Sequence, residues 1–165
     1  MYMSSQPPAF RILFVCTGNT CRSPLAVAAL GAELAGEDLV ELGSAGTAAV
    51  AGQPASDGAV RVAAADGFDI SAHRSRALTP ELARSADLIF VMSTAHRAAV
   101  EAMGVPREQV HLMSEWPEPG EPELPVFDPF GASSEAYEEC WRRLRRHARR
   151  IASSVRQAIR ERRLS

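Results

Sequence analysis

Four short apolar runs, at residues 12–15, 39–43, 86–92 and 109–113, punctuate the chain. Runs of this length, bounded by turn formers, read as strands buried on both faces of a parallel sheet. Between them the apolar residues recur every three or four positions, the period of a helix packed on one side. Ser23 and Pro24 offer an N-cap and a first helical residue for a helix reaching about Glu33. Residues 56–66 are helical in composition, with Gly67 as a stop. Thr79, Pro80 and Glu81 open a short helix, and Ser93 caps another that runs to about Met103, ended by Gly104 and Pro106. The strongest pattern comes last: Tyr137, Cys140, Trp141, Leu144, Ala148, Ile151, Ala152, Val155 and Ile159 define one long apolar face. Residues 44–54 read as loop and 70–78 as a connection. Residues 115–129, with five prolines and several acids, read as a long surface loop of the kind that often carries function. Strands alternating with helices predict an α/β fold: three αβα layers around a four-stranded parallel sheet.

Composition narrows the picture. The length of 165 residues suits one domain, 9–165, after a loose tail at 1–8 that lacks a signal-peptide pattern. A net charge of −2 gives no pull toward nucleic acid or a membrane surface, and no run is long enough to span a bilayer. All 18 basic residues are arginine, and ten of them lie between Arg142 and Arg163. That density on one helix reads as a solvated face balanced by the acidic loop before it, with docking of an acidic partner as the alternative. Three cysteines are too few for a disulfide framework, and a reactive thiol suits a reducing cytoplasm.

The candidate chemistry sits between the first strand and the first helix, in Cys16-Thr17-Gly18-Asn19-Thr20-Cys21-Arg22-Ser23-Pro24. Free N–H groups at a helix N-terminus favour an anion, and they favour the thiolate form of a cysteine placed there. Such a thiolate is a nucleophile near neutral pH. Arg22 presents a planar fork suited to two oxygens of a phosphate. Gly18 permits unusual torsions and Asn19 tolerates the left-handed region, so the loop can curl its N–H groups toward one centre. Ser23 can donate a hydrogen bond to the sulfur. A bare Cys-x5-Arg is weak evidence; its placement after a strand and before a helix start is what gives it force. No Gly-Lys-Ser/Thr follows, which excludes a nucleotide-binding P-loop. Zinc ligation by Cys16 and Cys21 is disfavoured, because Cys140 is remote in sequence and has no neighbouring Cys/His pair. Neither metal nor cofactor is expected.

This loop resembles the signature of the low-molecular-weight protein tyrosine phosphatase family, and its Thr-Gly-Asn-Thr-Cys wording is similar to that of the bacterial protein-arginine phosphatases. The likeness extends over 11–159, through Ser44-Ala-Gly-Thr, Asp69-Ile-Ser-Ala-His-Arg-Ser, Ala86-Asp-Leu-Ile-Phe-Val-Met and Asp128-Pro-Phe-Gly. The resemblance implies a phosphatase working through a phosphocysteine on Cys16, with Arg22 holding the transition state and Asp128 as general acid and then general base. Taken alone, an Asp-Pro is as readily a turn. The family match further implies that Asn19, Ser23, Ser44 and His73 hydrogen-bond one another and stiffen the loop. It also implies that Cys21 pairs with Cys16 under oxidation; simple packing accounts for Cys21 equally well. The implied partners are phosphorylated proteins or peptides, with phosphate and other oxyanions as inhibitors. Thr20, the absence of an aromatic residue across 47–52 and the single aromatic Phe130 after the acid favour phosphoarginine over phosphotyrosine. Arsenate reduction on the same fold and a non-catalytic phosphate-binding module are the other readings. The first is disfavoured because Cys140 falls on the buried face of the last helix, the second because Cys16, Arg22 and Asp128 are all present.

Overall fold

A computed structural model describes residues 9–115 and 124–164. The proposed tail at 1–8 and the centre of the proline-rich loop lie outside those residues. Strand β1 (Phe10–Cys16) is followed by helix α1 (Arg22–Glu33), β2 (Val40–Gly46), α2 (Asp57–Ala65), α3 (Pro80–Ser85), β3 (Leu88–Val91), α4 (Thr94–Glu101), β4 (Val110–Leu112) and α5 (Ser134–Leu164). The four strands form one parallel sheet in the order β2-β1-β3-β4. The expected layers are present. Alternate residues of β1 feed two cores: Ile12 and Phe14 pack with α1, α2 and α5, while Leu13 and Val15 pack with α3 and α4. Phe14 stacks on Phe90 of β3 at a centroid distance of 5.6 Å. The chain leaves β1 toward β2 on one side and returns to β3 on the other. Cys16, at the carboxyl end of β1, therefore lies at the point where the strand order reverses, the usual place for a ligand in such sheets.

Several boundaries differ from the sequence reading for local reasons. β2 continues through Ser44, Ala45 and Gly46, expected as loop, because its register with β1 runs to Cys16↔Gly46. Small residues are needed there. A Cβ on Gly46 would stand 2.4 Å from the Thr17 carbonyl oxygen and 3.0 Å from Asn19 N. Ser23 does not cap α1, whose cap position is Cys21 with no side-chain bond. The Ser23 hydroxyl is committed elsewhere, as described below. Thr79 and Ser93 do cap α3 and α4, accepting from the N–H of Leu82 and His96. Helix α4 ends at Glu101, short of the expected Met103.

Helix α5 is 31 residues long, and all nine residues of its expected apolar face are buried. Its arginines are not merely solvated. Arg145 pairs with Asp66 at 2.8 Å and Arg162 with Asp87 at 2.8 Å. Arg143 donates to the carbonyls of Leu124 and Pro125 at 2.7 and 2.8 Å. That grip ties the segment before Asp128 to the last helix. No helix among the described residues is long and apolar enough to cross a membrane.

Two glycines separate close approach from simple flexibility. Gly46→Ala is expected to cost about 1–3 kcal/mol, because the backbone of the Cys16 loop occupies the space a methyl needs. Gly31→Ala, in α1, meets only Leu42 Cδ1 at 3.7 Å and should stabilise by roughly 0.5–1 kcal/mol. Urea unfolding of the two variants reads the contrast; equal effects would contradict it.

Candidate active site

β1 delivers Cys16 to the mouth of a loop that runs to the first turn of α1. Because α1 begins at Arg22, its leading N–H groups have no acceptor within the helix. The loop turns at Asn19, which has φ 55, the only non-glycine residue of positive φ among those described. This is the left-handed region the sequence allows for Asn19; Gly18 has no positive φ, and a Cβ there would meet only Thr20 Oγ1 at 3.7 Å. Asn19 is fully buried. Its side-chain amide donates to Ser23 Oγ at 2.8 Å and Ser44 Oγ at 2.9 Å. Its side-chain oxygen accepts from the Arg76 N–H at 2.9 Å, and its carbonyl accepts from His73 Nε2 at 2.6 Å. Ser23 Oγ in turn lies 3.0 Å from Cys16 Sγ. One asparagine thus joins β2, the segment at 73–76 and the base of α1 to the sulfur.

Arg22 is 6% exposed. Its Nη1 donates to the Val126 carbonyl at 3.0 Å, and its Nη2 stands 3.5 Å from Thr17 Oγ1 and 3.6 Å from Asp128 Oδ2. Asp128 does form the turn that Asp-Pro suggests: its Oδ1 accepts from the Phe130 N–H at 3.0 Å. Its second oxygen is left facing Arg22, and the side chain stays 48% exposed. Cys16, Thr17, Gly18, Thr20, Cys21, Arg22, Ala48, Val50, Gln53, Asp128 and Phe130 line one cavity of about 310 Å³. Its rim is apolar: Val50 is 69% and Phe130 68% exposed. Ala48 and Val50 supply the wall from the 47–52 segment, held by Thr47 N–H on the Cys16 carbonyl (2.9 Å), Ala48 N–H on the Thr17 carbonyl (3.0 Å) and Gly52 N–H on the Ser75 carbonyl (2.8 Å). Among the sequence candidates, Ser44 and His73 touch the loop from behind and do not line this cavity; nor do the side chains of Asn19 and Ser23, expected to contact substrate, which are fully buried in the bonds just described.

The sequence reading placed Cys140 far from the other cysteines. The structure corrects this: α5 packs on α1, and Cys21 and Cys140 are buried in the same core. The neighbouring Cys140 thiol, then burial, hold the Cys21 proton far above the ordinary thiol range. All three cysteines are buried free thiols. Remoteness of Cys140 is therefore no argument against its acting together with Cys21, while the burial expected of Cys140 is observed. Among the described residues, no group of three or more His, Cys, Asp or Glu side chains is placed to hold a metal ion.

His96 was not singled out from the sequence. It is 6% exposed, with Nε2 at 2.9 Å from Thr17 Oγ1 and Nδ1 at 3.1 Å from Ser93 Oγ. Burial, then the Arg22 cation, pull its imidazole down from 6.5 to about 4, with Asp128 pushing the other way. The available signal was a helix cap, Ser93, at the end of β3 with a histidine three residues on, at the same sheet edge as Cys16. Arg76 was also missed; its Nε donates to the Ser44 carbonyl at 2.9 Å, bracing β2 beside the loop.

Residues 11–161 match the family described as low molecular weight phosphotyrosine protein phosphatase. A probable low molecular weight protein-tyrosine-phosphatase, EpsP of Ralstonia solanacearum, is 47% identical over 91 residues, which is 61% of its length. The low molecular weight protein-tyrosine-phosphatase Etp of Escherichia coli K12 is 38% identical over 145 residues, covering 87% of this chain and 93% of Etp. A protein-arginine-phosphatase of Bacillus subtilis is 34% identical over 146 residues, covering 87% of this chain and 95% of the relative. Among solved structures, a mutant YwlE arginine phosphatase with a phosphorylated active site serine superposes with a TM-score of 0.79 at 33% identity, over 88% of this chain and 95% of that one. Wzb of Vibrio vulnificus, in complex with benzylphosphonate, gives 0.78 at 31%, over 87% and 97%.

The depressed His96 predicts a pH-dependent stability. The unfolded chain takes up this proton near 6.5 and the folded chain only near 4, so stability is full above about 6.5 and falls as pH drops toward 4. Urea midpoints should therefore fall further between about pH 7 and about pH 5 in the wild type than in His96→Gln. Equal falls would contradict the assignment.

Proposed function

The chain belongs to the low molecular weight phosphotyrosine protein phosphatase family, and on that premise we propose that it hydrolyses phosphorylated protein side chains through a phosphocysteine on Cys16, with phosphoarginine favoured. The observation that carries this reading is the convergence of Cys16, Arg22 and Asp128 on one cavity.

A substrate phosphoryl group enters between the leading N–H groups of α1 and the Arg22 fork. Cys16 attacks phosphorus as a thiolate, with Ser23 Oγ, 3.0 Å away, donating to the sulfur. The residues 17–21 supply N–H groups around the equatorial oxygens, and Arg22 bridges two of them as charge develops. Asp128 protonates the departing nitrogen or oxygen. It then takes a proton from the water that hydrolyses the phosphocysteine, so one residue serves both steps. Its half-exposed position at the cavity mouth is where the leaving group must pass. Asn19, Ser44 and His73 hold the loop in shape so that little reorganisation is needed during reaction. In the solved YwlE mutant a serine of the active site carries the phosphoryl group, which supports placing the covalent step on this loop. Free phosphate and other oxyanions should compete for the same donors, and a reducing cytoplasm would keep the thiol competent.

Phosphoarginine is favoured by the walls of the cavity. Ala48, Val50 and Gln53 line it, and Phe130 is the one aromatic side chain in its lining, so an incoming phenol ring finds one aromatic surface rather than two. Thr20 places a hydroxyl in the lining where a branched aliphatic residue would favour an aromatic ring. A flexible guanidinium needs polar neighbours and no second ring. Arsenate reduction is the weaker reading because the relatives that span the chain are phosphatases by name.

Two measurements test the proposal. The ratio of kcat/KM for a phosphoarginine peptide to that for a phosphotyrosine peptide should exceed one, and Thr20→Ile should shift it toward phosphotyrosine. An unchanged ratio would remove the role given to Thr20. Cys16→Ser should abolish turnover while phosphate still binds; persisting turnover would refute the covalent mechanism.

A further inference from the structure

The hydroxyl of Thr17 stands between two nitrogen partners from different layers. His96 Nε2 approaches from α4 at 2.9 Å and Arg22 Nη2 from α1 at 3.5 Å. The second contact is long, as catalytic hydrogen bonds commonly are before the transition state forms. A guanidinium only donates, so Thr17 Oγ1 offers Arg22 a lone pair. A neutral His96 ring meets the same oxygen in either tautomer: Nε2 accepts the Thr17 hydroxyl hydrogen while Nδ1–H donates to Ser93 Oγ, or Nε2–H donates to the second lone pair of Thr17 Oγ1 while Nδ1 accepts from the Ser93 hydroxyl, 3.1 Å away. Ser93 Oγ also accepts the His96 N–H at 3.4 Å. Both arrangements tie Arg22, Thr17, His96 and Ser93 into one chain.

A cationic His96 would make both ring nitrogens donors and set a second positive charge beside Arg22. The charged groups acting on the ring are Arg22 of α1 and Asp128 of the segment before α5. Burial and Arg22 outweigh Asp128 and favour the neutral ring.

We propose that His96 is a positioning residue for Arg22: through the Thr17 hydroxyl it fixes one edge of the guanidinium so that the fork faces the phosphoryl site. The other edge is already held, by the Val126 carbonyl at 3.0 Å. Two anchors on different nitrogens leave the plane little freedom to swing, and a planar, bidentate donor loses most of its value when it swings. Nothing in the phosphatase mechanism above requires His96. The inference rests on that mechanism for its catalytic meaning, but its physical content, control of anion affinity by a neutral imidazole, does not need turnover.

The test uses the full chain as wild type, His96→Phe, His96→Gln, Thr17→Val and the double variant Thr17→Val/His96→Phe. Calorimetry gives Kd for inorganic phosphate, and para-nitrophenyl phosphate turnover gives kcat and KM. Thermal melts confine the comparison to folded protein. Phenylalanine keeps an aromatic ring and removes both nitrogens; glutamine restores a polar partner near the position of Nε2. His96→Phe should weaken phosphate binding about tenfold and lower kcat by at least as much with KM changed less, since the grip matters most as charge develops. His96→Gln should return both to within about threefold of wild type, and the double variant should be no worse than the poorer single one, because both substitutions break the same chain. Wild-type affinity in His96→Phe, failure of glutamine to rescue, or losses that multiply in the double variant would each overturn the proposal. A wild type that binds phosphate without turning over substrate would refute the phosphatase reading and leave the Kd series to decide this one. A wild type that turns over, with His96→Phe unaffected, would refute this one alone.

Discussion

Asn19 is fully buried, in a left-handed conformation that L-residues seldom adopt, and its polar atoms are spent on neighbours. Unpaired, those atoms would be costly to bury. Paired as they are, they make the loop conformation the one in which Ser23, Ser44, His73 and Arg76 are all satisfied together. The sulfur of Cys16 is reached through this network, by way of Ser23. The fold converges here too: β2 must end in small residues so that its backbone can pass the loop, and Gly46 is where that approach is closest.

Arg22 shows the same economy on the other side of the sulfur. Its fork is held by the Val126 carbonyl, and the segment carrying Val126 is itself tied down twice. Val126 N–H donates to the Met92 carbonyl at the end of β3, and Arg143 of α5 grips the carbonyls of Leu124 and Pro125. The arginine-dense helix thus contributes to the site indirectly, by fixing the stretch from which Asp128 projects. A charge pattern that reads as a solvated face in isolation has, at Arg143, a structural duty.

Strand and helix identities were legible because each apolar run or period is a local signal of what gets buried, and parallel strands with intervening helices leave few arrangements. The nucleophile loop was legible for a similar reason: strand, loop and helix start are contiguous in sequence. What was not legible depends on contacts between distant segments. Ser44–Gly46 read as loop because small residues carry no strand propensity, whereas pairing with β1 decides their state. Gly18 and Asn19 are both permissive in the sequence, and the structure is needed to show that the left-handed turn falls on Asn19 alone. Cys140 seemed remote because α5 returns to α1 only in three dimensions. His96 escaped notice because its partner Thr17 lies on another strand end, and a single histidine at a helix start is usually just that.

The central claim is that the Cys16 sulfur is the atom to which the phosphoryl group transfers, within donors that converge on it. The most direct measurement is rapid-quench mass spectrometry of Asp128→Ala during reaction with para-nitrophenyl phosphate. Removing the group that protonates the leaving atom and later activates water slows both steps for a poor leaving group, but para-nitrophenolate departs without a proton, so only the second step is slowed and the phosphoenzyme accumulates. The account predicts that the peptide containing Cys16 carries the added mass of one phosphoryl group, and that Cys16→Ala abolishes it. A phosphoryl group found on another residue, or turnover with no phosphorylated enzyme at any quench time, would contradict it.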